Sequence, residues 1–249
     1  MSSGGGFRQQ VPRLSPVSYG VLCMGSTKDS RETIVAVRSA LSSPRLQTFE
    51  RATVFLGEES SPGLELYAWN ARVSAALLVP LHVCEVVVRN AVSDVLEAMY
   101  GPRWPWSAGF ERSLPVSNRG YCPRMDIQKS RQYATSAGKV IPELKFVFWQ
   151  RLFTSRYDLR LWDGHLRRVL PGLDASTPVG QLRQRIYEDI EQIRGLRNRI
   201  AHHEPIFKRD LSDDFSKMMR LVEARCKVTT AWMMRNQTAT EVLGERGYM

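Results

Sequence analysis

Apolar positions along this chain recur with helical spacing, and no segment alternates with the period of a strand. The first periodic segment follows Thr27 and Asp29, whose side chains suit a helix N-cap. It runs through Ile34, Val37 and Leu41 to the break at Ser42, Ser43 and Pro44. A short helix is predicted over 45–55. Residues 63–79 are apolar almost all round and include Tyr67 and Trp69, which predicts a buried helix. Pro80 is expected to kink that helix or to start a new one ending at Gly101. The Pro, Gly, Ser and Trp content of 101–123 predicts a long loop, with Trp104, Trp106 and Phe110 as anchors into the core. Shorter helices are expected at 124–138 and 143–156, then a polar connection at 171–178, then two long helices over 179–203 and 210–236. The pattern implies an all-α fold with one domain over 29–236, a flexible arm at 1–28 and a C-terminal tail at 237–249.

Two of these helices carry charge where the pattern asks for apolar side chains. On a wheel at 100° per residue, Leu182, Ile186, Ile190, Ile193, Leu196 and Ile200 share a stripe roughly 120° wide, and Arg197 falls inside it. A guanidinium on a buried face needs a carboxylate, a phosphate or a water-filled cleft. In the helix after Pro80, Leu81, Cys84, Val88, Val92, Val95 and Leu96 form the core stripe. Glu85 sits within it, and His82 and Arg89 lie along its margin. His82, Glu85 and Arg89 are spaced i, i+3, i+7, which aligns them on one face. The expectation is a polar pocket between the two helices, assembled from Glu85, Arg89, Arg197 and a histidine. Each member also has a plainer reading: Glu85 with Arg89 as an i, i+4 pair, and His202 with His203 as a C-terminal helix cap. Arg194 and Arg199 are expected to project to solvent, as a solvated face or as RNA contacts.

Composition sharpens the choice of partner. The 249 residues carry 35 Lys plus Arg against 25 Asp plus Glu, a formal charge of +10, mostly from arginine. That balance favours an anionic partner, and the planar fork of arginine suits phosphate. Cys23, Cys84, Cys122 and Cys226 are far apart and form no CxxC pair, which argues against a zinc site or a disulfide framework. No signal-like apolar core occupies the first 20 residues, and no run of 18 apolar residues is free of charge. These features point to a reduced, cytoplasmic chain with no membrane role and no metal or other cofactor.

Arg197-Asn-Arg-Ile-Ala-His202 matches the R-x4-6-H pattern of HEPN domains, and the chain more specifically resembles the Abi-like family of bacterial abortive-infection proteins. The phrases that carry the resemblance are Leu196-Arg-Asn-Arg-Ile-Ala-His-His-Glu-Pro-Ile206, Leu81-His-Val-Cys-Glu-Val-Val-Val-Arg-Asn90, Tyr67-Ala-Trp-Asn70 and Val147-Phe-Trp-Gln-Arg-Leu152. They occur in order across about 40–235.

The resemblance implies a HEPN-like helical bundle with extra helices and a loop insertion, a homodimer, and metal-independent endoribonuclease activity of phage-defence or toxin type. In that chemistry the 2′-hydroxyl of RNA attacks the adjacent phosphorus. His202 or His203 would move the proton, Arg197 would hold the phosphate, and Asn198 would orient one of them. The RNA could be host, phage or an associated noncoding RNA, and an antitoxin is a compatible partner. The rival expectation is a protein that holds a noncoding RNA without cutting it. HEPN toxins silenced by nucleotidyltransferases carry a tyrosine two residues past the histidine. Here that position is Glu204, which could instead orient a histidine or help close the site.

Overall fold

The structure, a computed structural model, describes residues 31–53 and 62–245. The expected cap residues Thr27 and Asp29 and the arm at 1–28 lie outside the described residues. Among those described, every regular element is helical.

Two short helices, α1 (Arg31–Leu41) and α2 (Ser43–Thr53), lead to α3 (Pro62–Tyr100), which is 39 residues long. The helix runs unbroken through Pro80 instead of starting anew there. A proline inside a helix costs about 3 kcal/mol through a lost hydrogen bond and a ring clash. Burial offsets it: Pro80 is buried, and Trp69, Val73, Leu77, Leu81, Cys84, Val88, Val92 and Leu96 of the same helix are core residues. α3 ends where Gly101 takes φ 81° and its N–H bonds to the Glu97 carbonyl, a left-handed cap that suits glycine.

The segment 101–123 is more ordered than a loop. Trp104–Trp106 makes a 3-10 turn and α4 (Ala108–Ser113) follows, with the Ser107 hydroxyl accepting from the Phe110 N–H as its N-cap. Trp104 and Phe110 are buried as expected, in a T-shaped contact at 5.5 Å, whereas Trp106 is only half-buried. Aromatic anchors of this size each contribute about 2 kcal/mol by burial alone, enough to order short helical turns between them. Next come α5 (Pro123–Ser130), α6 (Ala137–Val140), α7 (Phe146–Arg151), a π turn at Asp158–Trp162 and α8 (Leu166–Val169). Phe153 stacks on Trp162 at 4.3 Å in this region.

The last layer is α9 (Val179–Ala201), α10 (Leu211–Arg225), α11 (Lys227–Arg235) and α12 (Ala239–Glu245). The expected single helix over 210–236 is broken, because Cys226 is extended and divides α10 from α11. The expected tail also folds in part. α12 packs on α3, where Val242 accepts a bond from the Trp69 indole at 3.0 Å and Glu245 pairs with Arg72. α3 is the axis of the bundle, with its most extensive contacts to α2 and α10, and one continuous apolar core reaches from Phe49 to Ala239.

By length and hydropathy alone, α3 could cross a bilayer. Its most apolar 18-residue window has mean hydropathy 1.7, and 33% of that window is buried within the protein. A central helix of a bundle has the same composition.

Candidate functional site

The end of α9 is a built turn. The His203 N–H bonds to the Ile200 carbonyl and the Glu204 N–H to the Arg199 carbonyl at 2.8 Å, the paired pattern that closes a helix with a left-handed residue. That residue is His203, at φ 56°. Glycine takes this position without cost, whereas a side chain there is strained by about 1–2 kcal/mol.

Three contacts from elsewhere fix the turn. Arg45 at the start of α2 donates to the His203 carbonyl. The buried side chain of Asn70 in α3 accepts from the Ile206 N–H at 2.8 Å. Arg199 donates to the Pro205 carbonyl at 2.7 Å and lies 3.4 Å from Glu204. Phe49 seals the far side by packing on Tyr67 and Phe207 at 5.1 and 5.2 Å. Sequence reading assigned no role to Arg45 or Asn70. Asn70 stood within the quoted Tyr67-Ala-Trp-Asn70 phrase, but nothing local announces a partner 136 residues away.

Between α3 and α9 the three expected charges meet as a cluster, and no histidine among the described residues pairs with them. Glu85 pairs with Arg89 one turn on, and its other oxygen lies 3.9 Å from Arg197 Nε. The Glu85 and Arg89 side chains are 14% and 16% exposed, but Arg197 is 47% exposed. The buried-arginine expectation is therefore corrected. Arg197 lies in the last turns of α9, and its long side chain reaches solvent while its stem stays near the stripe. Arg89 Nε is buried with no hydrogen-bond partner among the described residues.

The other expected residues divide. Asn198 is half-buried, and its carbonyl accepts from the His202 N–H at 3.0 Å. His202 and His203 are both exposed, and among the described residues neither ring makes a hydrogen bond. His203 lines a groove of about 640 Å³ with Arg45, Tyr67, Asn70, Ser74 and Leu78, while His202 does not. His82 is exposed between Leu78, Val79 and Val86, on a stretch of α3 that no described element covers. The expected free projection of Arg194 and Arg199 is corrected. Arg194 is tied to Gln150 at 2.9 Å and Glu191 at 2.7 Å, and Arg199 clamps the turn through Pro205 and Glu204. The Gln150 amide and Arg194 together hold the Glu191 carboxyl below its ordinary range. Glu204, expected to orient a histidine or to help close the site, is turned toward Arg199 at the end of α9.

Two charges that sequence reading passed over are more deeply buried than Arg197. Asp189, on the core stripe of α9, pairs with Arg220 of α10 at 3.0 Å, and burial pushes its carboxyl up despite that cation. Arg183 pairs with Asp158 at 2.8 Å. Among the described residues no group of three His, Cys, Asp or Glu is placed to hold a metal ion. Searches of family models, of curated proteins and of solved structures give no match to this chain.

Proposed function

We propose that the chain is a metal-independent endoribonuclease of phage-defence or toxin type with a HEPN-like bundle, acting on RNA in the cytoplasm. The supporting observation is the juxtaposition at the α3–α9 seam. There Glu85 links Arg89 to an Arg197 that is half exposed, five residues before a strained, exposed histidine turn. An arginine held in this way has a free donor edge for a phosphate, and two exposed imidazoles stand on the turn beyond it. In the proposed reaction a histidine takes the 2′-hydroxyl proton, the 2′-oxygen bonds to phosphorus, and the 5′-oxygen leaves with a proton from a second histidine. Arg197 stabilises the charge on the phosphoryl oxygens.

A second copy of the chain would supply the second histidine. The uncovered face of α3, with Leu78 at 52% and Val86 at 39% exposure, adjoins the seam and is the proposed homodimer surface.

Cleavage of labelled RNA in EDTA is the test. We expect cyclic phosphate termini from the native chain and their loss in Arg197→Ala and in one of His202→Ala and His203→Ala. Equal cleavage by all three variants would overturn the assignment. The rival reading, RNA held without cleavage, is favoured by one observation: neither imidazole is oriented by a hydrogen bond among the described residues. It predicts bound RNA that remains intact under the same conditions.

A further inference from the structure

Lysine is scarce in this chain, with seven residues, and three of them line one cleft. Lys129 sits in the last turn of α5, Lys139 in α6, and Lys145 at the N-cap of α7. They surround a cavity of about 530 Å³. All three are exposed, and none has a carboxylate within ion-pair distance among the described residues, whereas Lys217 is paired with Asp213. Across the same cavity stands Tyr133, in the turn between α5 and α6, with 88% of its surface exposed. Its hydroxyl accepts from Gln132 at 3.0 Å, and its ring makes no aromatic contact among the described residues.

The cleft also contains two carboxylates, and they are not equivalent. Asp126 is half-buried, and one of its oxygens accepts both from the Tyr121 hydroxyl at 2.7 Å and from the Lys145 backbone N–H at 3.3 Å. Its role is to fix the α5–α7 corner that presents the lysines. Glu143 is exposed on the cavity wall without an ion pair and opposes any anion there.

We propose that this cleft binds single-stranded nucleic acid, with a base stacked on Tyr133 and the adjoining phosphates held by Lys129, Lys139 and Lys145. An exposed aromatic ring beside unpaired cations is the combination that single-strand recognition uses, because every base offers a π-face and every linkage a charge. A duplex hides its bases from such a ring, so the site discriminates by strandedness. The cleft contains none of the residues proposed for cleavage, and its ligand class follows from its own chemistry.

The experiment measures binding alone. A fluorescent 2′-O-methylated oligouridylate of about 12 nucleotides cannot be cut by 2′-hydroxyl attack, so its anisotropy with the full chain is independent of the cleavage reading. Tyr133→Ala is expected to weaken binding about tenfold and Tyr133→Phe to leave it unchanged, as loss of one stacked base predicts. Joint Lys129→Ala, Lys139→Ala and Lys145→Ala should reduce the slope of log affinity against log salt by about 2, near 0.7 for each lost phosphate contact on a single strand. Glu143→Gln should tighten binding. Affinity for a blunt duplex of equal length should not change with Tyr133→Ala. All these positions are exposed, and unchanged circular dichroism separates lost binding from lost fold. The proposal is overturned if Tyr133→Ala and the triple lysine variant bind the oligomer as the native chain does, or if the native chain does not bind it at low salt.

Discussion

At the scale of single residues, His203 is the informative position, because its backbone would suit glycine and yet carries an imidazole. His203→Gly should raise stability by about 1 kcal/mol by relieving the left-handed strain, readable as an upward shift in thermal midpoint. If His203 carries the proton, the same variant loses cleavage while gaining stability, a result no structural role would produce. If His202 carries it, His203→Gly stays active. The Glu85 cluster separates the two roles in another way. Arg197→Ala should change stability by less than about 0.5 kcal/mol, because its 3.9 Å pair is half solvated, yet abolish cleavage. Glu85→Ala leaves Arg89 unpaired at 16% exposure and should cost about 2 kcal/mol in denaturant unfolding. Wheel geometry made the Glu85–Arg197 contact legible in the sequence. The exposure of Arg197 was not legible, since a wheel does not show where a helix outruns its neighbours.

At the scale of elements, periodicity revealed the helices whose apolar stripes are long and lost those that tertiary contacts make. α3 and α9 were visible because 63–100 and 182–200 repeat at helical spacing. α4, α6, α8 and the π turn are too short for a repeat and are ordered by Trp104, Phe110 and Trp162 beneath them. Of the two outcomes expected at Pro80, a new helix does not occur, because the local rule about proline is set against 39 residues of continuous packing. Asp189 was overlooked although, at 100° per residue, it lies only about 20° from Leu182 on the stripe that drew attention to Arg197. Its titration makes a prediction about the α9–α10 interface. Burial raises the carboxyl in the folded state, so folding is favoured when the proton is on, and that contribution is lost as pH rises through the folded value. Asp189→Asn should therefore match the parent near pH 3.5 and gain on it as pH rises toward 7. A variant that loses ground over that interval would mean that the Arg220 pair outweighs the burial.

For the whole molecule, the decisive quantity is the number of chains in the active particle. A charge of +10 draws RNA to any basic surface, but one chain presents one Arg197 and one histidine pair, while the proposed reaction needs a base and an acid on opposite sides of a phosphate. The uncovered stripe of α3 from Ala71 through Ala75, Leu78, Val79 and His82 to Val86 spans 15 residue steps, about 22 Å at the rise of a helix. Two such stripes crossing, with the groove beside His203 between them, offer a core for an interface near 800 Å² per partner. Leu78→Glu tests this without touching the fold, because the side chain is already 52% exposed and contributes little to the monomer core. We expect the native chain to sediment as a dimer. The variant should sediment as a monomer with unchanged circular dichroism and with cleavage reduced at least a hundredfold. Heterodimers of Leu78-intact Arg197→Ala chains with His202→Ala or His203→Ala chains then report whether the two halves share a cleft. Because the proposed reaction takes one histidine from each chain, mixing should not restore activity; recovery would mean that a single histidine, on the chain other than the arginine's, suffices. A native chain that cleaves fully as a monomer would instead confine the chemistry to a single seam, with both His202 and His203 acting on one phosphate.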